Sequence, residues 1–279
     1  MNIIEQDKMR IEYFNSFGDF YNYAKDNIAP LSSDKKEVDN WSGTKSLAKA
    51  CDLARNGWTE VRPEVEDLLG DLTERLADKL DNLYKPMYDF GGAYVDMGRF
   101  VEGDPECMVT FQAVPEGAMG RVIKIAVAGT ASAYISPEHI RKRGVAIISL
   151  VDTINKLGFG VELWWDSTIE GKDSRSHSTA VKLHDSADTL DINSVMFALA
   201  HPSMLRRLTF SVQEQSSTAK AQGVGGGYGS IGTMATPKVF DFDVTVERLQ
   251  DGYGDIVQNP FKWVLTTLKG LDIIGETEA

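Results

Sequence analysis

Apolar positions in this chain fall into runs whose spacing changes from segment to segment, and the clearest change lies between residues 122 and 165. Val122-Ile123-Lys124-Ile125-Ala126-Val127-Ala128 is a buried-strand pattern. The small residues Gly129-Thr130-Ala131-Ser132-Ala133 follow as a turn. Ser136-Pro137-Glu138 then reads as a helix start, because serine caps the first amides and proline suits the first turn. Helical spacing runs to Leu157 and Gly158 stops it. Val161-Glu162-Leu163-Trp164-Trp165 reads as a second strand. Strand, tight turn, helix and strand make one βαβ unit, which predicts a parallel sheet.

The first 85 residues read as helical. Met9, Tyr13, Phe14, Phe17, Phe20, Tyr21 and Tyr23 form an aromatic stripe near helical spacing. Residues 31–40 are polar and read as a linker. Thr44 to Asn56 is a second helix with Gly57 at its stop, and Pro63 opens a third. Val65, Leu69, Leu72, Leu76 and Leu83 give that third helix its apolar face, and an acidic face lies opposite. Tyr88 to Glu106 reads as a glycine-rich ordered loop, and Met108 to Phe111 as a strand feeding the βαβ unit. Beyond Trp165, the pattern predicts a loop over Asp166–Ser178, a strand over Ala180–Leu183 and a helix over Thr189–Ala200. It then predicts a strand over Arg207–Val212, a long loop over Gln213–Pro237, a strand over Val239–Val246 and a last helix opened by Pro260. The expected organisation is a helical region over 1–86, an α/β core over 87–274 and an acidic tail over 275–279.

Composition and charge narrow the function classes. No apolar run approaches the ~20 residues that span a bilayer, and Met1 to Arg10 is too polar for a signal peptide. Cys51 and Cys107 lack a CxxC neighbour and read as free thiols, which suits a reducing cytosol. The net charge of −12 is uneven. Residues 1–120 hold 13 Lys/Arg against 23 Asp/Glu, and residues 239–279 hold 3 against 8. Residues 121–238 hold 13 against 10, so a polyanion would meet the chain there.

Most catalytic strings fail on context. Gly227-x-Gly229-x-x-Gly232 matches a dinucleotide fingerprint as letters, but no strand precedes it and Thr236-Pro237 follows. His139, His177, His184 and His201 have no metal-ligand spacing. No nucleophile elbow accompanies His184-Asp185, so no catalytic residue is expected and the chain reads as a non-enzyme. The turn Ala128-Gly129-Thr130-Ala131-Ser132 is similar to the metal-binding turn of a von Willebrand A domain, with both hydroxyl positions filled. Ala128 replaces the aspartate, so a hard cation loses its main anionic ligand and neither metal nor cofactor is expected.

Cations and aromatics cluster in the central segment. Arg141-Lys142-Arg143 lies on the first core helix, and Trp164-Trp165 ends the following strand. Lys172 and Arg175 lie in the next loop, and Arg206-Arg207 precedes a later strand. Cations that follow a backbone and rings that stack bases are what sequence-tolerant binding of single strands needs. These nine residues are the candidate DNA contacts. One tryptophan of the pair is expected to face outward, because strand side chains alternate.

Two blocks carry a family resemblance. The first is Trp41-Ser42-Gly43-Thr44 with Ala50, Leu53-Ala54 and Gly57-Trp58. The second runs from Tyr88-Asp89-Phe90-Gly91-Gly92 to Phe100 and on through Gly103-Asp104-Pro105-Glu106-Cys107-Met108. With Arg143-Gly144 and the strand at Gly160, they resemble a family of phage and plasmid proteins over roughly residues 41–215. Within it the chain is most similar to the small early proteins of podoviruses that carry a virion RNA polymerase. That resemblance implies a cofactor in the host cytoplasm that binds single-stranded DNA at opened promoters and recruits the phage RNA polymerase. It leaves homo-oligomerisation open. Two other classes stay in play: a von Willebrand A-like protein-interaction scaffold without nucleic acid, and an enzyme acting on nucleic acid. The expected fold is α/β, a mostly parallel Rossmann-like (von Willebrand A-like) sheet flanked by helices.

Overall fold

The structure is a computed structural model that describes residues 1–26, 40–77, 86–92, 94–111, 120–132, 134–216, 219, 230–249 and 254–274. The linker over 31–39, Leu83, the glycine run within 220–229 and the tail over 275–279 lie outside the described residues. In chain order the elements are β1 Asn2–Gln6, β2 Met9–Phe14, α1 Phe17–Lys25, α2 Leu47–Asn56, α3 Arg62–Arg75, β3 Pro86–Asp89, β4 Tyr94–Val95, α4 Met97–Val101, β5 Met108–Phe111 and β6 Val122–Ala128. They continue with α5 Pro137–Lys156, β7 Gly160–Glu170, β8 Ser176–His184, α6 Ile192–Ala200, a π-helical segment Met204–Thr209, α7 Phe210–Gln215, β9 Ser230–Ile231, β10 Val244–Val246, α8 Asp255–Gln258 and α9 Pro260–Gly270.

The fold is mixed α/β. Its main sheet has the order β1-β2-β8-β7-β6-β10, with β9 pairing along the far end of β7. Of the four pairings that join β2, β8, β7, β6 and β10, three are parallel, and β7 with β8 is antiparallel. The expected βαβ unit is present: β6 and β7 run parallel with Val122 opposite Gly160, and α5 crosses between them. The Ser136 hydroxyl accepts from the His139 amide and caps α5 as its sequence dictates.

Alternation sorts the sheet residues onto two faces. Ile123, Ile125, Val127, Leu163, Trp165 and Val181 join the buried residues of the helices in one large core. Ile11, Ala126, Ala128, Trp164 and Ala180 point the other way, where Met234, Ala235, Val239 and Phe242 cover them. The helices therefore pack on one face, and an irregular segment closes the second. Asp166 fastens that cover. It is fully buried, and its Oδ2 accepts from the Ala235 amide at 2.9 Å, the Thr236 amide at 2.7 Å and the Thr236 hydroxyl at 2.8 Å. Its Oδ1 accepts from Thr168 and Ser178, each at 2.7 Å.

Several sequence expectations are corrected. The N-terminus is a β-hairpin, not a helix, and β2 enters the main sheet beside β8. A dense aromatic run fits periods of 2 and 3.6 equally over so few residues, and pairing with β8 decides it. The loop expected over Asp166–Ser178 is mostly strand, since β7 runs to Glu170 and β8 begins at Ser176. Its polar residues misled because Ser167, Thr168, Ser178 and Thr179 are buried. The strand expected over Arg207–Val212 is helical. The strand Met108–Phe111 belongs to a separate three-stranded sheet, β3-β5-β4, and does not feed β6. No described helix is long and apolar enough to cross a membrane.

Candidate functional site

Three of the expected DNA-binding arginines are structural. Arg143 is buried, and its guanidinium donates to the carbonyls of Ala128 at 2.8 Å, Val246 at 2.9 Å and Glu247 at 2.8 Å. It thus ties together the carboxyl ends of β6 and β10. Burial lowers its pKa to about 10, which leaves it charged at neutral pH. Arg206 and Arg207 are buried in the π-helical segment. Arg206 donates to the carbonyls of Trp41 and Ile135, and lies 4.5 Å from the centre of the Trp41 ring. Arg207 donates to the Thr44 carbonyl at 2.8 Å. Burial and these bonds hold the three guanidiniums inside the fold.

The tryptophans are also internal. They lie in the middle of an 11-residue strand rather than at its edge. Alternation does place them on opposite faces, but both faces are covered. Trp165 lies against Gly129, where a Cβ would sit 2.1 Å from the ring. Trp164 stacks on Phe240 at 5.5 Å and donates its indole N–H to Glu162 at 2.8 Å. Arg141 pairs with Glu64 and donates to the Glu60 carbonyl at 3.1 Å. Lys142 is exposed and pairs with Glu138 at 2.9 Å. Arg175 is exposed in the β7–β8 turn; the Lys172 side chain lies outside the described part of the structure.

What the structure does build is a cleft at the carboxyl ends of β6 and β7, where open α/β sheets carry ligand sites. Its volume is about 460 Å³. The turn after β6 supplies Thr130 and Ser132, the helix-facing side of β7 supplies Ser167, and Trp41 and Phe210 supply aromatic walls. Arg248 closes the rim and is held there by donating to the Ile231 carbonyl at 3.2 Å. A second lobe of about 500 Å³ shares Ser132, Ile231 and Arg248, and adds Tyr134 and His139. The Tyr134 ring is 97% exposed. Among the described residues no three His, Cys, Asp or Glu side chains gather as a metal site.

Behind the cleft floor lies a buried polar row. Glu12 meets His177 at 3.3 Å and accepts from the Ser216 hydroxyl at 2.7 Å, while Gln213 donates to Ser167 at 3.4 Å. These side chains are all buried, and they fix α7 against β2, β7 and β8. Sequence reasoning noted Thr130 and Ser132 only as the hydroxyls of a turn expected to hold no metal, and it named none of Trp41, Tyr134, His139 and Arg248 as candidate contacts. The available signal was position: the turn after the first strand of the βαβ unit lies at the edge where open α/β sheets generally bind ligands.

The block over residues 41–58 and Gly144 form tight joints beside this cleft, whereas the block over residues 88–108 lies in the separate three-stranded sheet. Gly43 takes φ +78°, and a Cβ there would lie 2.7 Å from Pro202 and 2.9 Å from the His201 ring. Ser203 bonds both the Ser42 carbonyl and the Thr44 hydroxyl. Trp58 meets the His201 ring edge-on at 4.7 Å. Gly144 lets α5 approach α6, since a Cβ there would lie 2.4 Å from the Ala200 Cβ.

Fold and cleft together define a mixed α/β protein with a ligand-accessible hollow at the carboxyl edge of its sheet. The chain belongs to the family described as a domain of unknown function (DUF7192), whose model matches residues 3–273. No curated protein and no solved structure matches it.

Proposed function

We propose that this protein is a non-catalytic binder of single-stranded DNA that brings an RNA polymerase to opened phage promoters, and that the strand lies in the two-lobed cleft. The observation that carries the reading is the lining of that cleft. It combines aromatic rings at Trp41 and Tyr134, hydroxyl donors at Thr130, Ser132 and Ser167, and the rim cation Arg248. Rings that stack bases, with donors and a cation for the backbone, are the elements of sequence-tolerant single-strand binding. Arg175 stands at the same end of the sheet, because β7 carries its turn beyond the end of β6. A von Willebrand A-like ancestry is part of this reading, supported by the placement of Thr130 and Ser132 after the first parallel strand. The resemblance of the Trp41 and Tyr88 blocks to phage proteins supports the polymerase half.

The test is a titration of fluorescent oligo-dT against Tyr134→Ala and Arg248→Ala. Tyr134 is almost fully exposed, so its removal leaves the fold intact. Loss of one stacking ring should weaken binding by about 1–3 kcal/mol, roughly five-fold or more. Wild-type affinity in both variants would refute the cleft as the DNA site.

A further inference from the structure

The three-stranded sheet β3-β5-β4 and helix α4 form an excursion whose apolar side faces outward. Met97, Phe100 and Val101 occupy positions i, i+3 and i+4, so they share one face of α4. They are 64%, 58% and 79% exposed. Val95 just before them and Phe90 in the preceding turn are exposed as well. The polar side of the helix is the one turned inward. Asp96 caps α4 through the amides of Gly98 and Arg99 and accepts from the Tyr88 hydroxyl. Arg99 lies 3.6 Å over the Tyr88 ring and pairs with Asp104 at 3.0 Å. An amphipathic helix normally buries its apolar face, and this one does the reverse.

The excursion is rigid enough for such a face to be pre-formed. The Asp96 amide donates to the Cys107 carbonyl at 2.8 Å, and Asp104 accepts from the Glu106 amide at 3.0 Å. Gly92 lies flat on β5, with space for a Cβ only 2.4 Å from the Val109 carbonyl oxygen. Pre-formed apolar surface binds without an ordering cost.

Charge selects the occupant. Residues 86–111 hold five Asp/Glu and one basic residue, Arg99, which is already paired with Asp104. Asp89, Glu102 and Glu106, which flank the apolar residues in sequence, are exposed. A second copy docked symmetrically would set these carboxylates against each other. We infer that this acidic-rimmed apolar face docks a protein partner presenting an apolar hollow bordered by lysine and arginine. Resting on the function proposed above, that partner is the RNA polymerase, bound at a surface separate from the DNA cleft.

The experiment measures binding of purified full-length protein to the purified phage polymerase by surface plasmon resonance, with oligo-dT titrations on the same preparations. Phe100→Ser combined with Val101→Ser removes side chains that are 58% and 79% exposed, and circular dichroism checks that the variant folds. It should weaken polymerase binding at least ten-fold and leave oligo-dT affinity unchanged. Glu102→Lys combined with Glu106→Lys should weaken it too, and Arg248→Ala should do the opposite, sparing polymerase and weakening DNA. Unchanged polymerase affinity in the serine variant overturns the inference. So does a wild-type dimer in sedimentation that the serine variant converts to monomer, because the occupant is then a second copy. A wild-type protein that binds DNA but no polymerase overturns this inference and leaves the cleft reading standing. One that binds polymerase through this face but no DNA supports the inference and refutes the cleft.

Discussion

His201 shows how one side chain can couple the fold to pH. Its ring stacks on Phe197 at 5.1 Å, meets Trp58 edge-on and accepts from the Ser203 amide at 3.1 Å through Nδ1. Burial lowers its pKa to about 4, against 6.5 for a free imidazole. The unfolded chain therefore binds a proton that the folded chain refuses. No stability is lost above pH 6.5, where both states are neutral; it is lost progressively between pH 6.5 and 4. At pH 5 the loss amounts to about 2 kcal/mol. Urea denaturation at pH 7 and pH 5 measures it, and His201→Asn should flatten the difference while keeping an acceptor for Ser203. A variant with the full wild-type pH slope would assign the effect to other groups. Arg143 makes the same point about location: a cation adjacent to exposed Lys142 in sequence becomes an internal tie, because a residue on one flank of α5 reaches three carbonyls at strand ends.

At the scale of elements, the cover over the second sheet face depends on one carboxylate. Asp166 accepts five hydrogen bonds, and three of them come from Ala235 and Thr236. Asp166→Ala strands buried donors and should destabilise the protein by about 3–5 kcal/mol. Amide hydrogen exchange should show the opening first at residues 234–236, and protection there equal to wild type would count against this role. The sequence could not reveal this element. Asp166 sits among serines and threonines that read as loop, and its partners lie about 70 residues on. By contrast α3 was readable in advance, since Pro63 stands in its first turn and Val65, Leu69, Leu72 and Leu76 recur near helical spacing; the structure buries Val65, Leu72 and Leu76 and adds Leu68, with Leu69 half-buried.

At the scale of the molecule, net charge and site act against each other. The chain carries −12, and Arg143, Arg206 and Arg207 are withdrawn into its interior. Among the described residues, Arg248 lines the cleft and Arg175 stands at the same end of the sheet. Single-strand affinity should therefore fall only gently with salt, with a log–log slope between about −1 and −3, given about −0.7 per phosphate. Titrations of oligo-dT at four salt concentrations give the slope. A value steeper than about −5 would mean that a larger cationic surface forms, and would move the DNA path away from the cleft.

The sequence by itself determined the βαβ unit, the start of α5 at Ser136-Pro137, the prolines that open α3 and α9 and the glycine stops at Gly57 and Gly158. Each of those signals is local: a contiguous apolar run, a serine followed by proline, a glycine where φ must be positive. Only the tertiary structure decided which face each cation and tryptophan would take. Arg206 and Arg207 are surface residues by composition, and become core residues because carbonyls from residues 41, 44 and 135 converge on them. Trp165 is buried by the helices on the first face of the sheet, and Trp164 because the segment carrying Ala235, Val239 and Phe242 closes the second; nothing in a five-residue strand pattern encodes a cover that arrives 70 residues later. Burial is a property of distant partners, so the proposed site lies not on the charged stretches that the sequence displays but in a hollow that only the folded chain encloses.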